Sequence, residues 1–387
     1  MRTPLVEIKP PGIYSETGDR KYTPINLGKT GVCGFIGLTE KGPSNRPVPI
    51  ASFQQFREIF GYLPYESYLD RSVEGFFKNG GRECYILRVA HFFERGRGEV
   101  AKKATARAQD RGGKSTIQFS ATSEGIWGNN VKLYMRQQAP KVQTLLTLDI
   151  REGDTEATLK STHGFKRGSI IKFSENGKAS YRIFYNLSGK TVFFTEPIDA
   201  GFSSSAPTYI EPLEFEVTAV TPDRKEVFKD LSMAPGSNNY FERVINQNSR
   251  LINAFNLNSD SPLPDNYPVD FEGLLSGGAD GLFNVSPDDF IGMSLSPEDR
   301  YGLAAFETID GIDVIACPDL MWCMRNSRNF ATKKDVEVVQ HALIDHCEKL
   351  KNRVVLLDFP DPSDPVAALQ WRLLFDSSYA AFYFPWI

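Results

Sequence analysis

The sequence predicts an α/β (α+β) protein: a core of mixed sheet and helices, a small inserted antiparallel β domain and an extended N-terminal arm. Three observations predict it. Short apolar runs alternate with amphipathic helical stretches at both ends of the folded region, which is the pattern of a sheet layered with helices. Residues 140–210 change to short alternating runs parted by Gly, Asn and Ser, the spacing of a small barrel or sandwich. The first thirty residues carry Pro4, Pro10, Pro11 and Pro24, which break helices and cannot donate in a central strand. The predicted boundaries are 1–30 for the arm, 31–139 with 211–387 for a discontinuous core, and 140–210 for the insert.

Composition bounds the function. A chain of 387 residues holds more than one domain and fewer than three at about 150 residues each. Hydrophobic residues at 41% and charged residues at 24% exclude a mainly disordered chain, a collagen-like fibre and a disulfide scaffold. The net charge of −4 lacks the basic excess by which nucleic-acid binders declare themselves. No apolar run approaches the roughly 20 residues that span a bilayer, and Met1 to Lys9 has no secretory apolar core. Five irregularly spaced cysteines fit free thiols in a reducing compartment.

In chain order, Leu5-Val6-Glu7-Ile8 alternates in the strand manner, giving an arm with strand potential and no partner of its own. Val32 to Leu38 is an apolar run broken by glycines, suited to a buried strand. Ser52 caps a helix over Phe53 to Phe60, which Gly61 ends. A second helix covers about Tyr68 to Lys78, and Cys84 to Val89 is a strand. The basic stretch from Glu94 to Lys114 reads as a solvated loop or surface helix. Val131 to Arg136 and Leu213 to Thr218 read as strands able to pair, which places the insert at the tip of a hairpin. Tyr240 to Phe255 shows a helical stripe through Phe241, Val244, Ile245, Leu251, Ile252 and Phe255. Ser259 to Gly281 reads as a loop. A helix is expected from Pro297 to Ile309, a strand at Ile312 to Ala316 and a long helix from Thr332 to Lys351. A strand at Arg353 to Asp358, a helix from about Pro365 to Phe375 and a buried strand at Tyr379 to Ile387 complete the reading.

No catalytic constellation emerges from the residues. Gly28-Lys29-Thr30 resembles the end of a phosphate-binding loop, but Thr23 stands where that loop needs glycine and no strand precedes it. Cys317, Cys323, His341, His346 and Cys347 are the cluster with metal-ligand chemistry, yet His341 and His346 lie about 140° apart round a helix. Buried thiols are the simpler reading. Four histidines (His91, His163, His341, His346) offer few bases, and no G-x-S-x-G elbow exists. Ser286 with Asp288 and Asp289 most simply begins a helix. No cofactor or metal ligand is expected, and the protein is not expected to be an enzyme. Two alternatives stay open: an α/β enzyme of unknown chemistry, and a carbohydrate-binding or adhesin module using Tyr181, Tyr185, Phe193 and Phe194 of the insert.

Several segments taken together resemble the contractile tail sheath family of bacteriophages and related injection systems. They are Pro11-Gly12-Ile13-Tyr14, Gly34-Phe35-Ile36-Gly37 with Glu40-Lys41-Gly42-Pro43, Phe76 to Gly81, Trp127-Gly128-Asn129, Leu275 to Gly281, Ala342 to Glu348, and Ser378 to Trp386. The resemblance covers all but the insert. It implies a structural subunit that stacks as six-membered rings into a sleeve around an inner tube and contracts to drive the tube through an envelope. It implies arms that add strands to neighbours, here Leu5, Val6, Glu7, Ile8, Ile13 and Tyr14. The implied partners are neighbouring sheath subunits, the inner tail tube protein, and baseplate and terminator proteins, without nucleic acid or membrane insertion. Assembly in the bacterial cytoplasm and a place in the virion follow. Family members continue past the Tyr-Ala-Ala-Phe-Tyr-Phe-Pro-Trp segment into a further domain that contacts the tube, so no tube-gripping residue is assigned.

Overall fold

The computed structural model describes residues 31–384 apart from 64, 93–98, 139–141, 297–299, 331 and 361–363. The arm residues Leu5, Val6, Glu7, Ile8, Ile13 and Tyr14 and the Gly28-Lys29-Thr30 triplet lie outside the described residues.

The apolar run at the start of the folded region becomes the strand Cys33–Gly37, with every residue buried. It lies inside a six-stranded sheet ordered Ala380–Phe382, Val354–Leu357, Val314–Ala316, Cys33–Gly37, Cys84–Arg88, Val48–Ile50. The first five strands are parallel and the last is antiparallel. Strand side chains alternate between faces, and here both faces are covered. Phe35, Cys84 and Ile86 pack with Phe56, Phe60, Leu69 and Val73 of the helices Phe53–Phe60 and Leu69–Lys78. Ile36, Leu87, Ile315 and Val355 pack on the other side with Val339, Leu343 and Cys347. A parallel strand buried on both faces has no polar side to show, which explains why the run holds only apolar residues and glycine.

Local signals set most helix ends. Ser52 Oγ accepts from Gln55 N at 3.1 Å, and Gly61 closes that helix at φ 77°. Thr332 and Asp335 form a capping box on the helix Lys333–Leu350, Thr332 N donating to Asp335 Oδ2 at 2.8 Å. Among the described residues, no helix is long and apolar enough to cross a membrane.

A second layer pair is all β with one helix. A three-stranded sheet (Ile252–Asn256, Ser115–Ala121, Thr105–Gln109) and a four-stranded one (Arg224–Leu231, Phe215–Thr221, Lys132–Gln137, Phe271–Leu274) share one core with the helix Phe241–Asn248. The strands Phe215–Thr221 and Lys132–Gln137 do pair antiparallel, as their alternation suggests. Between them, residues 144–212 form a sheet ordered Thr144–Leu145, Tyr209–Pro212, Ile170–Glu175, Lys178–Ser188, Thr191–Phe194, Glu156–Thr158. Its two edges meet through the Leu146↔Leu159 bridge, with Thr147 N donating to Thr158 O at 2.9 Å. Closure removes the sheet edges, and the barrel holds its own core of Phe173, Phe184, Phe194 and Phe202.

The structure corrects several sequence expectations. The helical stripe of Tyr240 to Phe255 is divided. The helix stops at Asn248, Ser249 Oγ accepts from Leu251 N and Ile252 N, and Ile252–Asn256 pairs with Ser115–Ala121 as a strand that leaves Phe255 exposed. The supposed solvated stretch holds the strand Thr105–Gln109, whose inward face is alanine and therefore carries little apolar signal. The loop 259–281 contains the strand Phe271–Leu274. The start of the expected helix at Pro297, Glu298 and Asp299 lies outside the described residues, and its remainder holds a 3₁₀ segment, Gly302–Thr308, seating Leu303 and Phe306 in the core. Of the buried strand expected at Tyr379 to Ile387, residues 385–387 lie outside the described residues, and Ala380–Phe382 joins Val354–Leu357 as a half-buried edge strand with Tyr383 exposed. It is not an interior strand.

Candidate functional site

In an open parallel sheet the strand order reverses at one point, and ligands bind in the crevice at the carboxyl ends there. Here the reversal lies between Cys33–Gly37 and Val314–Ala316. The crevice is filled by the chain itself. Asp319, fully buried, follows the strand Val314–Ala316 and sets its carboxylate against the end of Cys33–Gly37. Oδ2 accepts from Leu38 N at 2.6 Å and Ser67 Oγ at 3.0 Å; Oδ1 accepts from Tyr68 N at 2.5 Å and Leu69 N at 3.2 Å. The carboxylate therefore occupies the N-terminus of the helix Leu69–Lys78, a place that favours an anion. Gly37 permits the approach, because a Cβ there would collide with Asp319 Oδ2. Burial pushes the carboxyl up to about 7, against the pull of the donors from Leu38, Tyr68, Ser67 and Leu69.

The five metal-type residues are not brought together. Cys317, Cys323 and Cys347 are buried in the core beside the long helix. Burial raises Cys317 and Cys323 well above the ordinary thiol range, with Asp319 adding to it, and pushes Cys347 up to about 11. Such thiols are poor nucleophiles and poor ligands. His346 is buried with Nε2 3.4 Å from Arg353 Nη1; burial and that guanidinium push it down to about 4. His341 is on the surface of the same helix, 4.8 Å from the Phe375 ring between centroids. Among the described residues no cluster of three or more His, Cys, Asp or Glu could hold a metal ion.

One pairing escaped sequence reasoning. His91 and Asp289, 198 positions apart, meet in the interior with Nδ1 to Oδ2 at 2.8 Å. Asp289 does begin the helix Pro287–Ile291, in a capping box with Ser286, and the same Oδ2 accepts from Ser286 N and Oγ. The pair stands on the wall of a cavity of about 620 Å³. The helix-start signal is visible in the sequence, but nothing local announces that His91 folds onto it.

The barrel aromatics separate. Phe194 is a core residue, whereas Tyr185 is exposed and stands 6.4 Å from Phe193 between ring centroids.

Several segments of the family resemblance converge. Asn129 pairs by its side-chain amide with both backbone groups of Gly278, and Asp280 Oδ1 accepts from Ile126 N at 2.8 Å. Arg88, almost wholly buried, donates to Gly42 O at 2.8 Å and Glu124 O at 3.0 Å. Lys41 Nζ lies 5.8 Å above the Trp127 ring. The Arg88–Glu124 and Lys41–Trp127 contacts link the six-stranded layer to the β layers, whereas the Asn129 and Asp280 contacts lie within the β layers.

Neither a protein-family model nor a curated protein matches the chain. Among solved structures it is similar to the sheath tail protein of Desulfitobacterium hafniense, with a TM-score of 0.44 and 12% identity over 96% of this chain and 55% of that one. It is similar to the sheath tail protein of Listeria innocua with a TM-score of 0.40 and 12% identity, over 87% of this chain and 50% of that one. A tailspike of Acinetobacter baumannii bacteriophage AP22, in complex with capsular saccharide, aligns over 20% of this chain and 14% of its own, with a TM-score of 0.18 and 14% identity. The chain spans about half the length of the two sheath tail proteins it aligns with.

Proposed function

We propose that this chain is a structural subunit of a contractile tail sheath, polymerising as stacked six-membered rings around an inner tube and contracting to drive that tube through a target envelope. The ordered series of sequence segments from Pro11-Gly12-Ile13-Tyr14 to Ser378–Trp386 supports the family. The structural observation that carries the choice against an α/β enzyme is Asp319. Where such an enzyme keeps an open crevice for its ligand, this chain closes it with its own carboxylate and four donors. That is the construction of a rigid building block.

In this reading residues 1–30 are the linking arm, with Leu5, Val6, Glu7, Ile8, Ile13 and Tyr14 adding a strand to a neighbour. Residues 31–139 and 211–387 form the core, and 140–210 an inserted barrel on the outside. The partners are further copies of the chain, the tube protein, and baseplate and terminator proteins, assembled in the bacterial cytoplasm and carried in the virion. Electron microscopy of the purified protein, alone and mixed with the tube protein, tests the reading. Stacked rings or helical tubes are expected; a monomer under every condition overturns it.

A further inference from the structure

We propose that the cleft between the helix Phe53–Phe60 and the turn at 221–224 binds an extended acidic peptide segment of a partner protein. The cleft is present whether or not the chain assembles as a sheath. Two hollows of about 580 and 550 Å³ lie between that helix on one side and the turn with residues 249–251 on the other. They share Lys41, Glu58, Arg224 and Leu251 and so form one continuous cleft. Each hollow is within the size range of ligand sites. Leu251 is common to both, Phe53 lines one of them, and Ile59 and Trp127 line the other.

Charge selects the occupant. The chain carries a net charge of −4, yet the cleft reverses that sign: Lys41, Arg57, Arg224 and Arg250 outnumber Glu58 and Asp223. Arg224 is already spent, its Nε 2.7 Å from Glu226 Oε1. Among the described residues, Lys41, Arg57 and Arg250 have no ion pair. Rings rather than carboxylates hold two of them, Lys41 Nζ 5.8 Å from the Trp127 centroid and the Arg57 guanidinium 4.5 Å from that of Tyr62. A cation on a ring keeps its charge, and a pre-set position lowers the cost of binding. The guanidinium fork matches a carboxylate. Arg57 lines one hollow, Arg250 the other and Lys41 both, a spread that fits carboxylates spaced along a peptide rather than one phosphate. A nucleic acid would set its unbroken line of phosphates against Glu58 and Asp223, and Lys41 already covers the Trp127 face on which a base would stack. Leu251, Phe53 and Ile59 give the peptide's intervening side chains an apolar surface.

The test is a calorimetric titration of the full chain with acetyl-Glu-Leu-Glu-Phe-Glu-amide and with its uncharged counterpart acetyl-Gln-Leu-Gln-Phe-Gln-amide. The acidic peptide should bind about five-fold tighter or more, and about 0.5 M NaCl should remove most of that difference. Arg57→Gln and Arg250→Gln each change an exposed side chain without an ion pair and leave the fold intact. Each should weaken the acidic peptide about three-fold without affecting the uncharged one. Lys160→Gln, an exposed cation on the barrel, is the control and should change neither. In sedimentation velocity the double variant Arg57→Gln with Arg250→Gln should match the parent; a loss of self-association assigns the cleft to a second copy and overturns the partner assignment. Tighter binding of a single-stranded oligothymidylate than of the acidic peptide assigns it to nucleic acid and overturns it likewise. Equal affinity for the two peptides, unchanged affinity in both arginine variants, an equal loss in Lys160→Gln, or no binding at about 5 mM peptide also overturns the proposal.

Discussion

Asn129 and Gly278, 149 positions apart, pair as two strand residues would. The Asn129 amide donates to Gly278 O at 3.0 Å and accepts from Gly278 N at 2.9 Å. The two bonds tie a loop of the three-stranded layer's surroundings to the glycine-rich turn before Gly281, and Gly278 has no room for a side chain because a Cβ would strike Gly125 O. Replacing Asn129 by Ala leaves a backbone donor and acceptor without partners, which costs about 1–3 kcal/mol. Asn79→Ala, at an exposed helix end, is the control and should stay within about 0.5 kcal/mol. Urea unfolding of the two variants checks this, and equal losses refute it.

Asp319 should be intolerant of every substitution. Asp319→Ala abandons Leu38 N and Tyr68 N, while Leu69 N keeps its bond to Ser67 Oγ; the expected loss is about 3–5 kcal/mol. Asp319→Asn keeps the shape but turns one acceptor into a donor facing donors, so it should also destabilise by more than 1 kcal/mol. Thermal melts of both variants decide the matter; a melt of Asp319→Asn matching the parent would sink the account of the sealed crevice.

Asp358, at the carboxyl end of Val354–Leu357, gives a pH signature. Burial alone pushes its carboxyl up to about 6. The folded state therefore holds the proton more tightly than the unfolded chain. Its contribution to stability is complete below about pH 4 and is lost as pH rises through 6. Asp358→Asn removes the cost of burying the charge, so at pH 7.5 the variant should be more stable by about 1–2 kcal/mol. At pH 4 the two proteins should melt alike. A gain at pH 4 as large as that at pH 7.5 contradicts the mechanism.

Deleting residues 1–25 should leave the melting temperature of the isolated chain within about 1 °C and abolish ring or tube formation, since the arm carries strand pattern without a core of its own. Scanning calorimetry and microscopy of the same preparation separate the two effects. A monomer that melts several degrees lower shows the arm to be part of its own fold.

What the sequence determined by itself is whatever rests on neighbours in the chain. The cap at Ser52, the stop at Gly61, the capping box at Thr332 and the doubly buried run Cys33–Gly37 are local hydrogen bonding and periodicity, and they were legible. Tertiary structure decided the rest. Leu251, Ile252 and Phe255 continue a helical stripe, yet Ser249 breaks it and the free edge of Ser115–Ala121 takes Ile252–Asn256 as a strand. Thr105–Gln109 shows only alanine inward, so its pairing outweighs a pattern that carries almost no apolar signal. The same holds for chemistry. Asp319 reads as an ordinary acid after a proline, and His91 and Asp289 as unrelated residues. Long-range packing places one in the crevice at the strand reversal and brings the other two within 2.8 Å. Burial and pairing energies depend on partners about two hundred positions away or more, and no local pattern encodes them.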